Sequence, residues 1–531
     1  MPPSDQLLIR DADLLDGTAS PSHRADVLIA NGIIEAVEEC GRLSESGRVV
    51  LTARGQTVTP GFIDVHSHAD NAPFLAQDDT SKIMQGVTTE VVGNCGFSLA
   101  PRLVDTAPAL EALAARIFPQ LPWSWNSFAD LLAATDARGY VTNYAPLVGH
   151  HALRVAVMGM SDAAPDDRQQ ARMGDLLDEA VEAGAFGLSS GLIYPPGLFA
   201  ATEELTDLAK RLPESRPYVT HMRGEGSQLM ASIAEALSIG EGSGRRVHVS
   251  HLKTAGRQNW GRMQAALDAL DRARERGLDV RHDVYPYTAG STMLTASLPP
   301  WFQEGGEPSL LSRLADHAAL DKLRDQLGRD DGTWENHIFG AGWEGIVIAS
   351  SASHDFDGRS LAQIASDRGS EPFDALVHVL IHEQLQVSMI IHSMNEKDLT
   401  LAMSHEKTMI GSDGLPPGVG GKPHPRMYGT FPRVLARYSR ELATLELPDA
   451  VRRMTSLPAE SFGLHDRGVV APGMAADLVA FDPAKVRDLA DYTEPTRAPE
   501  GIAWVMVNGK VVVRDGSYVG GRAGRRLAPA A

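Results

Sequence analysis

Two histidines separated by one residue follow a short apolar run near the start of the chain. The run extends from Phe62 to Val65, and His66 and His68 come after it. Residues i and i+2 of a β-strand lie on the same face, so both imidazoles can reach one ion. The spacing therefore predicts a metal site at the end of this strand.

Three further side chains of ligand type lie at the ends of later strand-like runs, namely Cys95, His221 and His251. A thiolate and imidazole nitrogens together favour zinc over magnesium or calcium. We expect these three residues to hold one tightly bound zinc ion. His66 and His68 are expected to form a weaker second position that shares Cys95, and the number of occupied positions stays open.

An aspartate ends the last strand-like run before the C-terminal β segment. The run is Met409 to Gly411, and Asp413 precedes Gly414. In a closed barrel this strand would lie beside the one that carries His66. A carboxylate there can bind the metal, take a proton from water and later deliver it to a leaving amine. Asp413 is therefore the predicted general base and acid as well as a metal ligand.

The segment between these residues alternates short apolar runs with helical periodicity. Apolar residues recur at helical spacing over 166–184 and 259–277, and each stretch ends in glycine. Ten runs are strand candidates: Phe62 to Val65, Thr88 to Val92, Val141 to Leu147, Phe186 to Ser189, Tyr218 to His221, Val247 to Ser250, Val280 to Tyr285, Ile346 to Ala349, Ser388 to Ile391 and Met409 to Gly411. Such alternation predicts an α/β fold with a distorted (β/α)8 TIM-like barrel, in which the ends of the strands converge on one mouth.

Both ends of the chain instead have the pattern of β-hairpins. Asn31-Gly32 and Asn508-Gly509 each separate two apolar runs, and Asn-Gly suits a type I′ turn. We expect 1–60 and 465–531 to form one small β-sandwich-like domain and 61–464 to form the barrel. Ten strand candidates exceed eight barrel places, so an insertion that could act as a lid is predicted at 294–344. The tail from Gly520 is expected to be mobile.

Composition and charge exclude several classes of partner. The 531 residues include 49 Lys and Arg against 68 Asp and Glu, a net charge of −19, and no basic run stands out. Nucleic acid and anionic membranes are therefore poor partners. Two cysteines, no apolar stretch of spanning length and no signal-like N-terminus predict a cytoplasmic protein without a membrane span. The oligomeric state stays open.

Several longer motifs cover nearly the whole chain. They are Gly61-Phe-Ile-Asp-Val-His-Ser-His68, Gly86-Val-Thr-Thr, Gly93-Asn-Cys-Gly-Phe-Ser-Leu-Ala-Pro101, Ser189-Ser-Gly-Leu-Ile-Tyr-Pro-Pro-Gly197, Thr220-His-Met-Arg-Gly-Glu225, Ser250-His-Leu-Lys253, Asp283-Val-Tyr-Pro-Tyr-Thr-Ala-Gly-Ser-Thr292, Gly411-Ser-Asp-Gly414 and His424-Pro-Arg-Met-Tyr-Gly-Thr-Phe-Pro-Arg433. With these motifs the chain resembles the amidohydrolase superfamily and, within it, the D-aminoacylase (N-acyl-D-amino-acid deacylase) family.

The resemblance implies a role for each matching residue. It implies zinc-dependent hydrolysis of N-acyl-D-amino acids to a carboxylate and a free D-amino acid, with a metal-bound hydroxide as nucleophile. Cys95 matches the family's bridging cysteine, and Asp413 matches its catalytic aspartate. The metal histidines are matched by His66, His68, His221 and His251, and the substrate-facing residues by Lys253, Tyr285, Ser291, Arg426 and Tyr194. The substrate is a small molecule, held mainly through its carboxylate.

Two alternatives remain at this point. One is a cyclic amide hydrolase of the dihydropyrimidinase or dihydroorotase type. The absence of lysine from Phe186 to Ser190 argues against this alternative. The other is a metal-free, non-catalytic scaffold, which would have no reason to retain the whole ligand set. The D preference follows from the resemblance alone, and the preferred acyl group stays open. The apolar run Leu294 to Trp301 is predicted to line the pocket and to favour an uncharged side chain.

Overall fold

The structure is a computed structural model that describes residues 6–529. Both chain ends contribute to one nine-stranded sheet. Its strands are β1 Gln6–Leu14, β2 His23–Ala30, β3 Ile33–Glu39, β4 Val49–Thr52, β5 Thr57–Pro60, β18 Leu478–Phe481, β19 Ile502–Val507, β20 Lys510–Arg514 and β21 Ser517–Tyr518. The N-terminal and C-terminal parts meet where β5 pairs with β18 in antiparallel register. The sheet buries its own apolar cluster, which includes Leu14, Ile29 and Trp504.

The two predicted hairpins are confirmed. Strands β2 and β3 pair in antiparallel register, as do β19 and β20. The turn residues have positive φ angles, 52° at Asn31 and 78° at Gly32, and 47° at Asn508 and 80° at Gly509. Type I′ turns require positive φ at both central positions, which is why Asn-Gly occurs at each.

Parallel strands form the framework of the α/β region. They are β6 Phe62–Asp64, β7 Val87–Val92 and β8 Asn143–Pro146 in one sheet, and β9 Val148–Gly149, β10 Leu188–Gly191, β11 Tyr218–His221, β12 Val247–Val249, β13 Val280–Val284 and β17 Thr408–Ile410 in a second. Neighbouring strands pair in parallel within both sheets. The sheets approach each other at two places. Phe186 N–H, just before β10, donates to Pro146 O in β8 at 2.7 Å, and Asp413 N–H donates to His66 O at 2.7 Å.

The two surplus strand candidates lie outside this parallel framework, as expected. They are β15 Ile346–Ser351 and β16 Val387–Ile391, which form an antiparallel sheet with β14 Gly290–Met293. We call residues 290–391 the insertion. The predicted insertion, 294–344, lies within this segment. The run Leu294 to Trp301 was predicted to line the substrate pocket. It does not, because Leu294 and Leu298 are packed into the core with 0% and 1% of their surface exposed.

Helices connect and cover the strands. They are α1 Ala107–Ala114, α2 Phe128–Arg138, α3 His150–Met158, α4 Asp167–Ala183, α5 Thr202–Lys210, α6 Leu229–Ser243, α7 Met263–Glu275, α8 Pro300–Gln303, α9 Gly306–Leu314, α10 His317–Leu327, α11 His337–Ala341, α12 Leu361–Arg368, α13 Pro372–His382, α14 Glu396–Ser404, α15 Arg426–Arg433, α16 Leu447–Met454 and α17 Ser456–Phe462. The predicted helices correspond to α4 and α7. Within residues 6–529, none combines the length and apolarity needed to cross a bilayer.

The C-terminal tail packs against the parallel framework. Tyr144 N–H donates to Arg525 O at 3.0 Å, and Leu527 N–H donates to Tyr144 O at 2.9 Å. Arg522 Nε donates to Asp78 Oδ1 at 2.8 Å. These contacts run against the expectation of a mobile tail over residues 522–527. The glycine-rich composition favoured mobility, but it gave no sign of the backbone pairing.

Candidate metal centre

Cys95 lies at the centre of a buried cluster of histidines. Its Sγ is 3.2 Å from His66 Nε2, 3.7 Å from His221 Nδ1 and 3.6 Å from His251 Nε2. These residues follow or end β6, β7, β11 and β12, whose carboxyl ends share one edge of the framework. Parallel pairing of neighbouring strands thus brings together side chains that are far apart in the sequence.

His68 and Asp413 complete the cluster. Asp413 Oδ1 is 3.3 Å from His68 Nε2 and 3.5 Å from His66 Nε2. Two groups of ligand atoms result, each within 4.8 Å, and both include Cys95. They are His66, His68, Cys95 and Asp413, and Cys95, His221 and His251. One thiol, four imidazoles and one carboxylate are a donor set that suits zinc, so the residues present fit a zinc centre with a shared sulfur ligand.

The backbone is strained at three members of this cluster. Cys95, His251 and Asp413 have φ angles of 53°, 37° and 49°. Non-glycine residues rarely adopt this left-handed region, and each instance costs about 1–3 kcal/mol. Strain of this kind persists where the surrounding structure fixes it, and it concentrates at functional sites. The strain therefore supports a functional role for the cluster.

The surroundings of Cys95 favour its thiolate. Burial opposes ionisation, but the charge of His66 and hydrogen bonds from His221 and His251 hold the pKa of Cys95 well below its usual value. A deprotonated sulfur is the form that binds metal. These surroundings therefore favour the thiolate form that a zinc ligand requires.

Asp283 supports the cluster from behind and was missed at the sequence level. Its Oδ1 accepts the His251 backbone N–H at 3.1 Å, and its Oδ2 is 2.7 Å from His248 Nε2 and 3.5 Å from His66 Nδ1. A carboxylate behind a ligating histidine fixes the orientation of the ring. Asp283 lies within β13, where its position in a strand-like run concealed this role.

Lys253 is paired with a carboxylate of the protein itself. Its Nζ is 2.6 Å from Glu225 Oε1 and 2.8 Å from His251 Nδ1. Burial opposes the charge of Glu225, but Lys253 and the nearby histidines hold the pKa of Glu225 well below its usual value. Glu225 was not identified as a site residue, although it ends the motif that begins at Thr220. It links Lys253 to the metal cluster.

Arg426 is likewise paired within the protein. Its guanidinium lies 2.9 Å from Asp413 Oδ2, donates to Ser291 O at 2.9 Å and stacks 4.6 Å from the centre of the Tyr285 ring. Burial opposes ionisation of Asp413, but Arg426, His251 and His66 hold its pKa well below the usual value. Lys253 and Arg426 therefore each already have a carboxylate partner within the protein.

A cavity beside the cluster contains most of the expected substrate-facing residues. Tyr194, Lys253, Tyr285 and Ser291 line it, whereas Arg426 does not. The Tyr194 hydroxyl is 2.7 Å from Thr292 Oγ1, and Ser291 Oγ donates to Met389 O at 2.8 Å. The ligands His68, Cys95, His221, His251 and Asp413 line the same cavity. A small molecule in this cavity would therefore touch the metal cluster directly.

The insertion adds two residues that sequence reasoning missed. Glu335 Oε2 accepts the backbone N–H groups of Glu225 at 2.8 Å and Gly226 at 3.0 Å. His337 lines the cavity, and burial lowers its pKa to about 4, so it is neutral near pH 7. No periodic pattern marks either residue, because each reaches the site through a contact between distant parts of the chain.

Comparisons with known proteins agree with this geometry. A family model described as "Amidohydrolase family" matches residues 49–214 and 361–513. The chain is similar to the D-aminoacylase of Alcaligenes xylosoxydans xylosoxydans, with 38% identity over 98% of this chain and 97% of that one. It is also similar to the N-acyl-D-glutamate deacylase of the same organism, with 37% identity over 95% and 93% of the two chains.

One solved structure links the fold to metal and substrate chemistry. It is the N-acyl-D-glutamate deacylase of Bordetella bronchiseptica, crystallised with zinc and a phosphonate inhibitor that mimics the tetrahedral intermediate of the reaction. It matches this chain with a TM-score of 0.83 and 38% identity, over 98% of this chain and 99% of that one.

Proposed function

The chain belongs to the amidohydrolase family and, within it, to the D-aminoacylases (N-acyl-D-amino-acid deacylases), and from this we propose that it hydrolyses the amide bond of linear N-acyl-D-amino acids with the aid of zinc. The products are a carboxylate and a free D-amino acid. The observation that carries the proposal is the buried cluster in which one thiol is shared by two groups of ligand atoms, beside Asp413 and a small cavity.

Six residues would hold the metal. Cys95, His221 and His251 would form the tighter position, and His66, His68 and Asp413 would form a weaker one that shares Cys95. Bound zinc lowers the pKa of a water ligand to about 7 and polarises an amide carbonyl. The thiolate of Cys95 and the orientation of His66 against Asp283 prepare the ligands for this role.

Asp413 would move the proton. Arg426 holds its carboxylate ionised at 2.9 Å, so that it is ready to accept a proton from water. The same carboxyl group then donates that proton to the departing nitrogen, which leaves as an amine. Because Arg426 binds Asp413 and lies outside the cavity lining, it would act as a positioning residue.

Lys253 and Tyr285 would bind the carboxylate of the substrate. Both line the cavity, and Lys253 Nζ lies 5.6 Å from the centre of the Tyr285 ring. Glu225 holds Lys253 charged, so the ammonium can share its donors between Glu225 and a substrate carboxylate. Ser291 and Tyr194 would shape the wall beside this anchor.

The finer architecture is part of the proposal. We propose that the parallel strands close into a distorted (β/α)8 barrel over about 61–464, a closure supported by the bonds from Phe186 to Pro146 and from Asp413 to His66. The terminal sheet would be a separate small domain, and the insertion would act as a lid over the cavity. We also propose a cytoplasmic location, which the two free thiols of Cys40 and Cys95 support.

The alternatives are less well supported. A cyclic amide hydrolase of this fold would be expected to carry a lysine on the fourth strand, and β10 reads Leu188-Ser-Ser-Gly191. A non-catalytic scaffold would not need a strained, buried ligand set. The relatives include an N-acyl-D-glutamate deacylase as well as a D-aminoacylase, so a charged and an uncharged side chain both belong in the substrate panel.

Steady-state kinetics on a small substrate panel test the proposal. We expect metal-depleted protein to be inactive and added zinc to restore hydrolysis of N-acetyl-D-methionine, with little activity on the L enantiomer. N-acetyl-D-glutamate measures the side-chain preference, and dihydrouracil tests the cyclic alternative. Preference for the L enantiomer would overturn the stereochemical assignment, and turnover of dihydrouracil alone would overturn the reaction class.

A further inference from the structure

A larger cavity adjoins the metal cavity. Its volume is about 820 Å³, against about 50 Å³ for the metal cavity. Ile117 and Leu415 line both, so the two cavities share a wall. Leu415 follows Asp413 by two residues, which places this wall beside the metal ligands. We call the larger space the outer cavity. An acetyl group is far too small to fill it.

One residue of the outer cavity carries a buried charge without a partner. Arg116, two residues beyond α1, lines the cavity and has only 6% of its surface exposed. Its Nε is fully buried and makes no hydrogen bond, and within residues 6–529 no carboxylate lies within ion-pair distance of its guanidinium. Burial lowers the pKa of Arg116, and the negative charge of Glu307 on α9 partly opposes this shift.

The other charged groups of the outer cavity are satisfied within the protein. Glu111 is paired with Arg102 at 2.6 Å, and His354 is 2.8 Å from Asp357. Among the described residues that line this cavity, Arg116 is therefore the one strongly basic side chain left without an anion. A buried unpaired cation is costly, and a protein normally pairs such a group or uses it to bind a ligand. Arginine binds carboxylates well because its planar fork matches their two oxygens.

We propose that the outer cavity is a binding site for the distal end of an acyl chain that carries a carboxylate, with Arg116 as its anchor. The inference rests on the proposed function, and it narrows the substrate class to N-acyl-D-amino acids with dicarboxylic acyl groups. The acyl chain is favoured over the amino-acid side chain because the amino-acid half of the substrate would be held by its own carboxylate anchors in the metal cavity. The proposed carboxylate anchors Lys253 and Tyr285 do not line the outer cavity.

Matched acyl chains test the inference. N-succinyl-D-methionine and N-butanoyl-D-methionine differ in the terminal carboxylate, as do the N-glutaryl and N-pentanoyl compounds. We expect kcat/KM of the wild type to favour the carboxylate member of a pair by about 10-fold to 100-fold, the range of a charge-assisted hydrogen bond. In Arg116→Met this ratio should fall to near one. A wild-type ratio near one, or an unchanged ratio in Arg116→Met, would overturn the proposal.

Control variants and a second substrate distinguish acyl-chain binding by Arg116 from a purely structural role and from binding of the amino-acid side chain. Arg276→Met removes a surface arginine that is paired with Glu241 and lines neither cavity, and it should keep the wild-type ratio. Arg116→Met should melt no lower than the wild type, since an apolar side chain replaces an unpaired buried charge. A loss confined to N-acetyl-D-glutamate would assign Arg116 to the side chain and overturn the acyl assignment. Wild-type protein that hydrolyses neither N-acetyl-D-methionine nor N-acetyl-D-glutamate would instead refute the proposed function.

Discussion

The ends of the parallel strands and the insertion both reach the metal cluster, but they build it differently. Strand ends supply the ligands themselves, and neighbouring strands in hydrogen-bonded register fix their positions. The insertion supplies Glu335, which binds the backbone N–H groups of the loop after β11, and His337, which closes a wall of the cavity. The difference suggests that chemistry depends on the strand framework, whereas substrate binding depends on packing of the insertion.

Loss of the shared sulfur ligand should abolish metal binding by the residues at the strand ends. Cys95→Ala removes the one ligand common to both groups, so we expect most zinc and nearly all activity to be lost. Metal analysis and kcat of the purified variant test this expectation. Cys40→Ala is the matched control, because Cys40 lies in the terminal sheet region and should keep zinc and activity. Full zinc retention in Cys95→Ala would contradict the ligand assignment.

Asp413→Asn should separate metal binding from proton transfer. An amide cannot take the proton of water, and general acid-base groups contribute about 10²- to 10⁴-fold to rates. We expect kcat to fall at least within that range, while much of the zinc remains because Cys95, His221 and His251 are intact. A variant with near-normal kcat would exclude Asp413 from the mechanism.

The ligands at the strand ends could also be predicted from the sequence. His66, His68, Cys95, His221 and His251 each lie at or just beyond the end of an apolar run, so period-two geometry and parallel topology suffice to bring them together. Asp283 has the same kind of position, yet it was missed because an aspartate inside a strand-like run gives no sign of which histidine it binds.

The contacts that the insertion makes with the site could not be predicted in the same way. Glu335 meets Glu225 across 110 residues, and the contact is to backbone N–H groups, which leave no trace in side-chain pattern. The pairing of Lys253 with Glu225 and of Arg426 with Asp413 was missed for a related reason. Residue type predicted that these cations would bind a carboxylate, but it could not tell a carboxylate of the protein from one of the substrate.

Glu335→Ala should weaken the contribution of the insertion to substrate binding without removing metal. The loop that carries Glu225 would lose its two hydrogen bonds, and Lys253 would be held less firmly. We expect a fall in kcat/KM of about tenfold, mainly through KM, with zinc content unchanged. Glu335→Gln keeps an acceptor oxygen and should recover most of the loss. Glu344→Ala, at an exposed position in the insertion, is the control. Loss of zinc in Glu335→Ala would show that the two regions are not separable.

The smallest expected effect concerns the pH dependence of stability. Burial, with the nearby charge of Glu225, raises the pKa of Glu335 from 4.5 to about 7. The folded state therefore binds this proton more tightly than the unfolded state, so the contribution of Glu335 to stability is present below about pH 4.5 and declines as pH rises through about 7. Glu335→Gln cannot ionise and should lack this decline.

Melting temperatures of zinc-loaded wild type and Glu335→Gln, measured from pH 4.5 to 8, test the linkage. Asp64 and Asp70 also have raised pKa values, about 6 and about 7, but both proteins contain them, so their effect cancels in the difference. We expect the difference in melting temperature to change in favour of Glu335→Gln as pH rises, by no more than about 4 °C. A difference independent of pH would mean that Glu335 is ionised throughout, and the insertion would then hold the Glu225 loop with a full negative charge.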